Sequence, residues 1–112
     1  MRLKTIILSV CLITSHLLSQ TGNLLGTVSD SNGSFPLPGA NVYLEGTNFG
    51  GITDSGGKVY LSNLPTGNYK LVVSYIGYEN QEKDIYIDEE SLNTFAVELS
   101  VETLLGNDID VI

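Results

Sequence analysis

Between Pro36 and Tyr78 the chain is cut into short pieces by turn residues, and that spacing limits what it can fold into. Pro38-Gly39, Gly46-Thr47, Thr53-Asp54-Ser55-Gly56-Gly57 and Pro65-Thr66-Gly67 punctuate about forty residues, with no helical period between them. The pieces alternate instead. Ala40, Val42 and Leu44 are interleaved with Asn41, Tyr43 and Glu45, and Val59 and Leu61 with Lys58, Tyr60 and Ser62. Tyr69, Leu71, Val73 and Tyr75 fall on one side of the longest run. A period of two with polar partners describes strands that bury one face, so the stretch predicts a small β-sandwich.

The flanks continue the pattern. Leu24, Gly26 and Val28 alternate with Leu25, Thr27 and Ser29 as a first strand, which Asp30-Ser31-Asn32-Gly33 closes. Ser34-Phe35-Pro36-Leu37-Pro38 reads as an irregular crossing, since its prolines cannot donate to a ladder. Ile85 and Ile87 alternate with Asp84, Tyr86 and Asp88 in a half-exposed strand, and Asp88-Glu89-Glu90-Ser91 is a solvated turn. Phe95, Val97 and Leu99 define the last strand. Seven strands and no helix are expected.

The motifs within this frame resemble the carboxypeptidase-regulatory-like domain. They are Pro38-Gly39-Ala40-Asn41-Val42, Gly46-Thr47, the run from Thr53 and Asp54 through Gly57 to Val59, Leu64 to Gly67 and Tyr69, and Ser74-Tyr75-Ile76-Gly77-Tyr78. They come in the family's order and spacing, and the resemblance runs from about Leu24 to Leu99. It implies a transthyretin-like, Greek-key sandwich. It also implies a context, because such domains often precede the plug of SusC-like TonB-dependent outer-membrane receptors. One departure is Val59, where the family usually has Phe, so the core there is expected to be filled differently.

The first residues belong to a different class. Arg2 and Lys4 precede an uncharged apolar run from Ile6 to Leu18, too short for a comfortable membrane span. Residues 1–19 therefore read as a cleavable signal peptide, with Gln20 as the first mature residue. Cys11 lies within it, too early and after too large a residue (Val10) for a lipoprotein signal. The expected organisation is signal peptide 1–19, β-sandwich 20–100 and linker 101–112.

Without the signal the chain holds no Cys, His or Trp, and Lys58, Lys70 and Lys83 face thirteen carboxylates, a formal charge of about −10. A disulfide framework is excluded. Nucleic acid and anionic membrane surfaces, which need clustered Lys and Arg, are not expected partners. A soluble monomer is expected of the isolated module, with no membrane span after signal removal.

The chemistry is equally restricted. With no His or Cys there is no Ser-His or Cys-His pair and no ordinary zinc site, so neither an enzyme nor a cofactor or metal is expected. Lys70 and Ser74 lie about 13 Å apart on a strand, which rules them out as a serine–lysine pair. Asp30-Ser31-Asn32-Gly33 resembles the opening of a calcium loop, but Asn41 stands where its glutamate would be, so turn chemistry is the preferred reading. Tyr43, Phe49 and Tyr60 are a candidate aromatic binding patch, weighed against tyrosines that merely cover a sheet.

Beyond Ser100, Asp108-Ile109-Asp110-Val111-Ile112 places acidic residues before aliphatics able to pair with a partner's sheet edge. By resemblance to SusC-like receptors, this segment is a candidate TonB box. The implied function is a non-catalytic, periplasm-facing module, the N-terminal extension of an outer-membrane nutrient receptor, docking to a protein of the TonB or signalling type or regulating uptake. The alternative is a stand-alone secreted or cell-surface binding or structural domain.

Overall fold

A computed structural model describes residues 20–89 and 92–103. The expected signal peptide and the Asp108–Ile112 segment lie outside the described residues. Seven strands form: β1 (Thr21–Asp30), β2 (Asn41–Leu44), β3 (Gly50–Ile52), β4 (Lys58–Pro65), β5 (Gly67–Ser74), β6 (Gln81–Ile87) and β7 (Asn93–Leu99). No helix occurs among the described residues. The strands make two sheets, one in the order β4-β1-β7 and the other in the order β3-β2-β5-β6.

Six of the strands are the alternating runs of the sequence. The seventh, β3, is Gly50-Gly51-Ile52, which has no alternation to read. It forms because β2 offers it an edge, with Asn41 opposite Ile52 and Tyr43 opposite Gly50. Among the described residues every strand pairing is antiparallel except one: β1 and β7 run parallel, from Leu24 opposite Asn93 to Asp30 opposite Leu99.

Side chains of one parity fill the space between the sheets. Leu24, Val28, Val42, Leu44, Leu64, Leu71, Val73, Ile87 and Leu99 are fully enclosed. Tyr69 and Tyr75 pack against this core from its margin. Leu37 joins it from the 31–40 crossing, which is therefore more than a surface loop. The crossing is drawn in by Leu37 N donating to Val28 O and by a bridge between Ser29 and Pro36.

Val59 lies in one cross-strand row with Gly26 and Phe95. The Phe95 ring lies directly over Gly26, where even a Cβ would collide with it. A ring from β7 thus occupies this layer, and a valine on β4 suffices beside it.

The recurring motifs resolve into hydrogen bonds that close each connection. Thr53, only 4% exposed, donates from Oγ1 to Leu37 O (2.6 Å) and accepts from Ala40 N (2.9 Å), pinning Pro38-Gly39-Ala40. Thr47 Oγ1 donates to Leu44 O and accepts from Phe49 N, closing the β2–β3 hairpin. Asp54 Oδ1 accepts from Gly56 N and Lys58 N in the β3–β4 turn. Those two amides, Lys58 first, hold its carboxyl below the ordinary carboxylate value. Tyr69 Oη donates to Pro65 O across the β4–β5 turn, a tyrosine corner in miniature.

Gly57 is constrained twice. Its φ is +74°, and a Cβ there would meet Val28 O at 2.6 Å and the Pro36 ring at 2.9 Å. Gly57→Ala is expected to cost about 2 kcal/mol or more, the sum of left-handed strain and overpacking against backbone. Urea denaturation checks this: the midpoint falls while the slope is retained.

Candidate functional site at the exit end of the sandwich

The connections sort to two ends. Gln20, the β2–β3 hairpin and the β4–β5 turn lie at one end. The 31–40 crossing, the β3–β4 turn, the β5–β6 turn and the departing chain at 100–103 lie at the other, the exit end. Ser31 N donates to Leu99 O, and Ser31 Oγ lies 3.0 Å from Ser100 Oγ. Glu79 N donates to Ser100 O, Glu102 N donates to Gly77 O, and Tyr78 bridges to Val101. The chain therefore leaves the sandwich bound along the β5–β6 turn.

That turn is Tyr75-Ile76-Gly77-Tyr78. Tyr78 N donates to Tyr75 O (3.0 Å), and Gly77 takes a φ of +87°, the third-position geometry of a type II turn. Ile76 is consequently driven outward and is 92% exposed. Val101 is exposed as well. Tyr75 and Tyr78, partly buried against the core, pack with ring centroids 5.5 Å apart, tilted by 51°. A shallow depression of about 430 Å³ adjoins the turn, lined by Gly39, Asn41, Tyr75, Ile76, Tyr78 and Glu102.

Asp30 holds this end together. It occupies the buried parity of β1 and is 3% exposed. Its Oδ1 accepts from Asn32 N (2.7 Å) and Gly33 N (3.0 Å), and its Oδ2 accepts from Tyr78 Oη (2.7 Å). The Tyr78 hydroxyl, then the Gly33 amide, hold the carboxyl below its ordinary pKa; burial pushes the other way and the Asn32 amide adds to the lowering. The same bond, with burial and the negative charge of Asp30, raises the Tyr78 phenol. With its oxygens committed to a turn and a phenol, Asp30 serves the turn chemistry anticipated for it. Among the described residues no group of three His, Cys, Asp or Glu is gathered as a metal site.

The aromatic patch is divided by the fold. Tyr43 points outward from the sheet that contains β2, and Tyr60 points outward from the sheet that contains β4. Phe49 packs partly on the core and shares a shallow hollow with Tyr60. The alternation placed both tyrosines on outer faces, and nothing in it showed that the faces belong to different sheets. The pairing of Tyr78 with Asp30 was also beyond sequence reasoning. Only the buried parity of Asp30 in β1 hinted that it needed a partner.

A family model of the CarboxypepD_reg-like domain matches residues 24–111. The chain belongs to that family. It is 40% identical over 72 residues to TonB-dependent receptor P39 of Formosa agariphila, covering 64% of this chain and 7% of that protein. It is 47% identical over 57 residues to TonB-dependent receptor SusC of Bacteroides thetaiotaomicron, covering 51% of this chain and 5% of that one. The chain thus spans less than a tenth of the length of these relatives. They are receptors, and the family is a regulatory-like domain.

Among solved structures, the fold is similar to BcpA, the major pilin subunit of Bacillus cereus, with a TM-score of 0.62 at 20% identity, over 74% of this chain and 31% of that one. It is also similar to GBS52, the minor pilin of Streptococcus agalactiae, with a TM-score of 0.60 at 22% identity, over 77% and 47%. At such identities these likenesses concern the fold alone.

Tyr78→Phe removes a donor from a buried carboxylate and is expected to lower stability at neutral pH. A depressed folded-state pKa contributes stability above the unfolded value, about 3.9, and that contribution is lost as pH falls through the folded value. Thermal melts from pH 7 down to pH 2 should show the two proteins converging at the acid end. A constant gap across that range would dissociate Asp30 from the effect.

Proposed function

We propose that the chain is the N-terminal extension of a TonB-dependent outer-membrane nutrient receptor. It is a non-catalytic module on the periplasmic face that docks to the next domain of the receptor and sets its spacing. The observation that carries this reading is the 40% identity to a TonB-dependent receptor of which the chain would form only a small part. The geometry agrees. The last described residues are strapped to the Tyr75–Tyr78 turn, so the linker to a following domain departs beside Ile76 and Val101. Those apolar side chains form its first docking contact. Residues 1–19 are the export signal, residues 101–112 the linker, and Asp108–Ile112 the segment offered to a TonB-type partner.

Reading the gene past the Ile112 codon is the direct test. The frame is expected to run on for hundreds of codons into a plug and barrel strands, and a tagged product to fractionate with the outer membrane. A stop immediately after Ile112 would overturn the proposal and favour a stand-alone exported domain. Within the full receptor, Ile76→Asp should leave the module's own unfolding unchanged, since the side chain touches little. It should also loosen the module from its neighbour, read as faster protease cleavage between the two.

A further inference from the structure

The fold begins on β1 and ends on β7, and these two strands lie side by side in parallel over seven register pairs, Leu24 opposite Asn93 through Asp30 opposite Leu99. In a parallel pair, the start of one strand and the finish of the other are at opposite ends of the ladder. Tension between Gln20 and the departing chain at Thr103 therefore pulls β1 and β7 past each other along their length. All of their interstrand hydrogen bonds are loaded together, and none can break before the rest have moved.

The ladder is reinforced at both ends. At the entry end the Asn93 side-chain amide donates to Asn23 O (3.0 Å). At the exit end Ser31 N donates to Leu99 O (2.9 Å), and the chain beyond is tied to the β5–β6 turn through Ser100 and Glu102. Sliding β1 also displaces Leu24 and Val28 from a close-packed core and strips Asp30 of its Tyr78 partner.

The other pairing of β1 has the opposite mechanics. β1 and β4 are antiparallel, with Thr21 opposite Pro65, and Thr66 N donates to Gln20 O at the same end. Tension between Gln20 and Thr66 peels this ladder open one bond at a time.

We infer that the β1·β7 pair is a shear clamp, which makes the sandwich resist tension applied between Gln20 and the segment after Thr103. The clamp itself rests on strand register alone.

Single-molecule force spectroscopy of the chain carrying Cys11→Ser tests it, because introduced cysteines are then its only attachment points. One version carries Gln20→Cys with Thr103→Cys and loads the clamp in shear. The other carries Gln20→Cys with Thr66→Cys and peels β1 from β4. Ser62→Cys, exposed on β4, replaces Thr66→Cys if that protein does not fold. At one loading rate the shear geometry is expected to rupture at severalfold higher force. The two proteins should share a urea midpoint, so the difference reports direction and not stability, as forced unfolding follows the unfolding rate. Equal forces, or a stronger peeling geometry, would overturn the clamp. A frame that stops after Ile112 removes the receptor reading but leaves the force ratio standing, so the two ideas fail separately.

Discussion

The carboxylate of Asp30 sits at the buried end of the central strand, where an unpaired charge would be costly. It is stable there because three donors converge on it, two from the turn directly after β1 and one from Tyr78, forty-eight residues away. That single group joins the β4-β1-β7 sheet to the β5–β6 turn of the other sheet. The turn in turn carries the backbone bonds that direct the departing chain. The exit end thus has one fixed geometry because one buried charge has only one way to be satisfied.

Much of this architecture was legible in the chain. Alternation found six strands and their inward faces, since burial of one face imposes a period of two and a slip of one residue would expose the whole set. Turn chemistry found the connections, because Thr47 and Asp54 bond within four residues of themselves, whereas the reach of Thr53 back to Leu37 and Ala40 carried no local signal. β3 was illegible for a physical reason. Gly50 and Gly51 have no side chains to alternate, and the strand exists only because β2 offers it an edge. The parallel β1·β7 pairing depends on residues about seventy positions apart, and no local signal fixes it. The division of Tyr43 from Tyr60 has the same origin: period two tells inside from outside, but not which sheet a strand joins. For the C-terminal acidic segment, the sequence remains the only description.

A sandwich of this size also has exposed edges to protect. β6 lies at the edge of its sheet and carries Glu82, Lys83 and Asp84 exposed in succession, and charges in that position disfavour edge-to-edge pairing with other chains. The ion pair between Lys70 and Glu82, at 3.6 Å on an open surface, adds little to stability. Its neighbourhood matters through charge, which keeps the edge from pairing with other chains. The opposite treatment appears at the exit end, where Ile76 is held outward by backbone geometry rather than covered. That side chain, 92% exposed, is the one on which the proposed docking contact rests.

The exit end and the parallel pair belong to one mechanical design. If the departing chain left from the entry end, tension on it would peel β7 from β1 bond by bond, and the ladder would resist no more than its weakest member. Departure from the exit end turns the same bonds into a set that must fail together. The strap through Ser100, Val101 and Glu102 holds the chain in that direction before it leaves, so the line of pull stays near the strand axis. Asp30 and Tyr78 fix the turn to which the strap is bound. The chemistry of one buried carboxylate thereby determines the direction in which the domain can bear load.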